Sequence, residues 1–97
     1  MYPNIHKYLL RANAEFPGDA LQLKVQYVYD ETGDGPEGLA TIACICDYEG
    51  DYSSPHHHED NVWLTFEADG ENALHEALSG LDAILAPLVQ AAEASNV

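Results

Sequence analysis

Positive charge is the scarcest property of this sequence. The chain of 97 residues has three Lys or Arg residues against 17 Asp or Glu residues, which gives a formal net charge of −14. The last basic residue is Lys24, so the remainder of the chain has no permanent positive charge. Nucleic acids and anionic membrane surfaces bind basic patches. The composition therefore argues against direct binding to either and favours a positively charged partner.

Long apolar runs and a disulfide framework are missing as well. No stretch approaches the ~18 consecutive apolar residues typical of a membrane-spanning helix, and the N-terminal MYPNIHKYLL lacks the apolar run of a signal peptide. Cys44 and Cys46 would project from one face of a strand, which is a poor geometry for a mutual disulfide. We therefore expect free thiols and a location in the cytoplasm of a cell or of a virus-infected host.

Motifs of known catalytic or cofactor chemistry do not occur. There is no nucleophile elbow, no phosphate-binding loop and no Cys-His arrangement with supporting context. Carboxylates are abundant, but acid–base catalysis needs a pair with divergent pKa values in a pocket. We expect a protein that is not an enzyme and that uses no cofactor.

The apolar fraction of 46% is ordinary for a folded protein, and its patterning predicts one α+β domain over residues 1–97. The predicted elements are a helix over residues 3–16, strands over residues 20–30, 38–48 and 61–68, and a helix over residues 71–95. Asp69 is the predicted N-cap of the last helix, and Pro87 is a point where that helix is expected to kink or split. The order α-β-β-β-α predicts a three-stranded antiparallel meander packed by helices.

The third predicted strand leaves the role of one aromatic residue open. Strict alternation places Val62, Leu64 and Phe66 inward and Trp63 on the opposite face with Thr65 and Glu67. Trp63 is then either an anchor for a partner or the residue onto which the first helix packs. Both interpretations are kept at this point.

A meander would gather the acidic residues at the two ends of its sheet. One end would hold Asp30, Glu31, Asp34, Glu37, Glu67, Asp69 and Glu71. The other would hold Asp19, Asp47, Glu49, Asp51, Glu59 and Asp60. We predict that these two acidic poles bind the partner.

The run His56-His57-His58-Glu59-Asp60 suggests a metal site at first sight. Adjacent loop residues rarely converge on one ion, and zinc sites usually space their ligands more widely. His75 or Cys46 would be needed to complete a site around His56, His57, His58 and Glu59. The favoured prediction is a solvated loop with exposed histidines and no metal.

Carboxylates on a folded scaffold are spaced comparably to neighbouring phosphates. Double-stranded DNA has one phosphate per ~3.4 Å of axis on each strand, and acids two apart on a β-strand are ~6.8 Å apart. In size, charge and layout the chain resembles the small phage-encoded DNA mimics, and among these the anti-CRISPR proteins. The resemblance implies an acidic inhibitor in a phage-infected bacterial host. It would occupy the DNA-binding surface of a Cas subunit in a CRISPR surveillance complex.

Three other hypotheses remain open from the sequence. An immunity-type inhibitor of a nuclease toxin would need the same acidic surface. A metal-binding module would use the segment from His56 to Asp60. The last hypothesis is an acidic domain whose charge serves only solubility.

Overall fold

The element order α-β-β-β-α is confirmed in the structure, a computed structural model that describes residues 2–29, 36–45, 56 and 62–94. Its elements are α1 (Pro3–Glu15), a short 3₁₀ helix (Pro17–Asp19), β1 (Gln22–Tyr29), β2 (Pro36–Ala43), β3 (Val62–Asp69) and α2 (Ala73–Ala94). None of the helices within these described ranges is long and apolar enough to cross a membrane.

The three strands form an antiparallel meander in the order β1-β2-β3, as predicted. Its centre is marked by Thr41, which is opposite Lys24 on β1 and Thr65 on β3. The Thr41 and Thr65 hydroxyl oxygens are 3.2 Å apart and share a hydrogen bond. Apolar side chains of β2 point to the other face, where Ala40 and Ile42 are fully buried.

A β-bulge corrects the predicted orientation of Trp63. Val62 is opposite Ala43 and Leu64 is opposite Ile42, so Trp63 is an extra residue on β3. A bulge re-aims the side chain that it inserts. Trp63 is consequently half-buried against the core with Leu64 and Phe66, although strict alternation places it on the opposite face with Thr65 and Glu67.

Helix α2 packs across the sheet, mainly on β2 and β3. Its buried residues recur every fourth position and are Ala73, Ala77, Leu81, Leu85 and Val89. Two glycines permit the close approach of α2 to the sheet. A Cβ on Gly38 of β2 would come within 2.5 Å of the Ala73 backbone, and a Cβ on Gly80 of α2 would come within 2.3 Å of the Phe66 ring.

Two details of α2 differ from prediction. Asp69 is the last residue of β3 and not the N-cap, because the turn Gly70–Asn72 intervenes and the Asn72 carbonyl accepts the Glu76 N–H at 2.9 Å. The helix is also not split at Pro87, because α2 runs as one element from Ala73 to Ala94. Ala83 and Pro87 are both exposed, so the carbonyl that loses its donor lies on the solvent side.

Helix α1 packs on α2, which also supplies its N-terminal cap. Tyr2 precedes the helix without a capping side-chain bond. Instead the Asp82 carboxylate accepts the Ile5 backbone N–H and the Asn4 side-chain amide, both at 2.9 Å. A carboxylate at this position satisfies free backbone donors and suits the helix dipole. Helix α2 therefore covers one face of the sheet, and α1 lies against α2 and contacts β3 through the stacking of Tyr8 on Trp63. No described element packs on the other face.

Candidate functional site

Three acidic residues lie together at one end of the uncovered sheet face and form what we call the acidic row. Glu37 on β2 is opposite Asp69 on β3, and Glu67 lies two residues before Asp69 on the same strand, opposite Leu39. Glu67 and Asp69 are exposed, whereas Glu37 is half-buried. Side chains directly opposite across strands are ~5 Å apart at Cβ, and like charges there are destabilising. The sequence prediction that these three acids meet at one end of the sheet agrees with the register.

The same end continues into the turn before α2. Gly70 adopts φ 105°, a conformation that favours glycine, and exposed Glu71 follows it. Strand β1 ends and β2 begins at this end, because Tyr29 and Pro36 are register partners. Asp30, Glu31 and Asp34, which were predicted to join this pole, lie outside the described residues.

The second predicted pole is only partly covered by the structure, and its one described member, Asp19, lies beside the end of β2 as predicted but is buried. Asp47, Glu49, Asp51, Glu59 and Asp60 lie outside the described residues. Asp19 is 2% exposed, so it adds no charge to an outer surface, and in this respect the prediction for this residue is wrong.

Asp19 belongs instead to a buried polar network with His56 and Tyr8. The His56 Nδ1 is 2.9 Å from the Asp19 Oδ2, and the His56 Nε2 is 2.7 Å from the Tyr8 hydroxyl oxygen. His56 is 1% exposed, which contradicts the prediction of an exposed loop histidine. Both ring nitrogens have partners, as a buried imidazole requires.

The Tyr8 hydroxyl keeps its proton well into the alkaline range. Burial, reinforced by the nearby negative charge of Glu15, raises the pKa of Tyr8 from 10.0 to about 12. The hydroxyl and the His56 Nε2 share one hydrogen bond, and the His56 Nδ1 and the Asp19 carboxylate share the other, with the donor roles set by the imidazole tautomer. The arrangement satisfies all three polar groups, and the raised pKa does not suit a tyrosinate nucleophile.

Aromatic rings enclose the imidazole. Trp63 stacks on Tyr8 with ring centroids 4.9 Å apart and meets His56 edge-on at the same distance. Phe16 also meets the His56 ring edge-on, with ring centroids 5.6 Å apart. Of the two interpretations of Trp63, these contacts favour packing under α1.

The metal hypothesis gains no support from the described residues, among which no three potential ligands cluster. Both nitrogens of His56 are engaged, and the Nδ1 of His75 is 2.7 Å from the Tyr2 hydroxyl. His57, His58 and Glu59 lie outside the described residues.

A cavity of about 600 Å³ lies between α1, the C-terminal half of α2 and His56. Its described lining contains apolar residues from both helices together with Lys7 and Arg11, two of the chain's three permanent cations. Lys7 forms an exposed ion pair with Glu93 at 3.3 Å. Periodicity alone does not predict this cavity, because it depends on how the two helices pack against each other.

Comparisons with protein-family models, with curated proteins and with solved structures find no match to this chain.

Proposed function

We propose that this protein is an acidic DNA-mimic inhibitor that occupies the basic DNA-binding surface of a nucleoprotein complex, specifically a CRISPR surveillance complex. The observation that carries the proposal is the acidic row on the uncovered sheet face, formed by Glu37, Glu67 and Asp69. Inhibition by this route is electrostatic and steric, and it requires no chemistry at the interface.

The exposure of Glu67 and Asp69 supports a role for this row. Net charge far from zero destabilises the compact state, so retaining these carboxylates carries a cost in stability. On a face that no described helix covers, they offer a partner concentrated negative potential. This potential becomes a favourable interaction energy when cationic side chains of that partner approach.

The positions of the cations also support the proposal. Lys7 and Arg11 line the cavity beside α2. Lys24 is four residues along β1 from Val28, the residue opposite Glu37. The acidic row is therefore separated from most of the permanent positive charge in the chain. A basic groove would meet little repulsion at this end of the face.

The decisive experiment measures competition with DNA. Purified CRISPR surveillance complexes are incubated with labelled target duplex and increasing amounts of the protein, and bound DNA is quantified by gel shift. The wild-type protein should release DNA in proportion to its concentration, and rising salt should weaken this effect. The triple variant Glu37→Lys, Glu67→Lys, Asp69→Lys should be at least about 100-fold weaker, because like charges facing each other across an interface cost several kcal/mol.

A matched control separates the surface from the net charge. Glu15→Lys, Glu76→Lys and Glu93→Lys change the charge by the same amount on exposed helical positions. Circular dichroism checks that both triple variants remain folded. The control should keep most of the inhibition. Equal loss in both variants would mean that net charge alone acts, and inhibition of a nuclease toxin instead of any surveillance complex would favour the immunity-type function.

A further inference from the structure

We infer that the cavity between α1 and α2 is a binding site for a small organic anion with an apolar body, such as a medium-chain carboxylate. This site is separate from the acidic sheet face and does not depend on the DNA-mimic proposal. Its volume of about 600 Å³ lies within the range of small-molecule sites, which are mostly apolar with a few placed polar groups.

The inner wall of the cavity suits an apolar chain. Ala12 and Val89 are buried, and Phe16 and Leu88 add apolar surface on either side. His56 is also part of this wall, but both of its nitrogens are committed to Asp19 and Tyr8. The inner wall therefore favours an aliphatic or aromatic body over a polar one.

The mouth of the cavity suits a carboxylate. The Lys7 side chain is 55% exposed, so it lies at the solvent side of the lining. Arg11 is one turn further along α1 and forms no ion pair with the residues that the structure describes. In a chain with only three permanent cations, two of them line one cavity. A guanidinium with free donors binds a carboxylate in a bidentate manner.

An internal carboxylate already occupies part of this mouth. Glu93 is 3.3 Å from Lys7, and Glu15 also lies on the lining. Exposed ion pairs of this kind contribute little to stability, so an incoming anion displaces Glu93 from Lys7 at small cost. Removing the Glu93 charge should consequently strengthen anion binding, whereas removing Arg11 should weaken it.

Calorimetric titration with decanoate tests the site, and decanol serves as the neutral ligand of equal chain length. Decanoate should bind at one saturable site, and decanol should bind at least about tenfold more weakly, as expected for loss of a charge-assisted contact. Arg11→Gln should weaken decanoate binding by about tenfold, and Glu93→Gln should strengthen it. Lys24→Gln removes an equal charge on the uncovered sheet face and should leave binding unchanged.

A cavity-filling variant locates the ligand independently of charge. Ala92→Trp places a large ring on the lining and should abolish decanoate binding while thermal unfolding shows a folded protein. The inference is overturned if decanoate shows no saturable binding up to about 1 mM. Equal binding of decanol, or an equal loss in Lys24→Gln and Arg11→Gln, would overturn the assigned anion contact. DNA competition by Arg11→Gln should match the wild type, which keeps this result distinct from the DNA-mimic test.

Discussion

The Asp19 carboxylate lies 2.9 Å from the His56 Nδ1 in an almost completely buried contact. The Asp19 backbone carbonyl also accepts the Ile45 N–H at 2.8 Å and the Cys44 thiol at 3.4 Å. Asp19 thus contacts both the segment that follows β2 and the imidazole of His56, which lies between β2 and β3 in the sequence. Buried polar groups that are fully satisfied help to specify one arrangement of the chain around them.

The Asp19 contact should contribute strongly to stability. Asp19→Ala leaves the buried His56 Nδ1 without the carboxylate that it contacts, and we expect the free energy of unfolding to fall by about 3 kcal/mol. Asp69→Ala removes an exposed carboxylate opposite Glu37 and should change it by less than about 0.5 kcal/mol. Urea unfolding measures both variants. A loss below about 1 kcal/mol in Asp19→Ala would show that the network is not stabilising.

Tyr8 should make stability fall at alkaline pH. Its pKa is raised from 10.0 to about 12, so between these values the unfolded chain loses the phenolic proton while the folded chain keeps it. The free energy of unfolding therefore decreases as pH rises through this window. A gap of this size is worth about 2.7 kcal/mol for a fully buried group, and for half-buried Tyr8 we expect ~1 kcal/mol.

Tyr8→Phe isolates this effect from the other tyrosines. Near pH 7 the variant should be less stable than the wild type by about 1 kcal/mol, because Nε2 of His56 loses its hydrogen-bond partner. The difference between the two proteins should shrink from pH 10 to pH 12. Chemical unfolding at a series of pH values tests this, and a constant difference would contradict the raised pKa of Tyr8.

Asp82 should govern the docking of α1. Asp82→Ala removes the acceptor of the Ile5 N–H and the Asn4 amide, and capping losses of this kind cost about 1–2 kcal/mol. Hydrogen exchange at the Ile5 amide should accelerate in the variant. Glu76→Ala, an exposed substitution on the same helix, should leave that exchange rate unchanged. Acceleration in both variants would point to general destabilisation of α2.

Replacing Ala20 with glycine should stabilise the protein. It adopts φ 47°, a left-handed conformation that an L side chain disfavours. Ala20→Gly should therefore raise the free energy of unfolding by about 0.5–1 kcal/mol, after allowance for the greater freedom of glycine in the unfolded chain. Ala14→Gly, at an exposed position inside α1, should lower it by about 1 kcal/mol. Thermal unfolding compares them, and a shift of the same sign in both would contradict the assigned strain.

The element order and one acidic end of the sheet were predictable because both follow from local patterns. Alternation marked the strands, and the short connection between β1 and β2 made an antiparallel pair the natural arrangement. In an antiparallel meander the approach of Glu37 to Asp69 follows from the geometry of the sheet. The identity of the partner that binds this acidic end is a proposal, because a charge pattern indicates only the sign of the partner's charge.

The buried network and the bulge were not predictable from local patterns. Asp19 and His56 are 37 residues apart, and no spacing rule connects a residue after Pro17-Gly18 with one in a histidine run. Burial of such groups depends on tertiary contacts that supply every partner. Alternation likewise assumes one residue per strand position, so it misplaced Trp63 when β3 contained an extra residue.

The capping of α1 by Asp82 joins the two ends of the chain across 77 residues in sequence. Closing so long a loop is entropically costly, so this contact is expected to form late in folding and to open early. When α1 detaches, the Tyr8–Trp63 stack separates and the cavity loses one wall in the same event. Emission from Trp63, the only tryptophan in the chain, therefore reports directly on the detachment of α1. An anion bound in the cavity would slow that detachment by holding the first and last helices together.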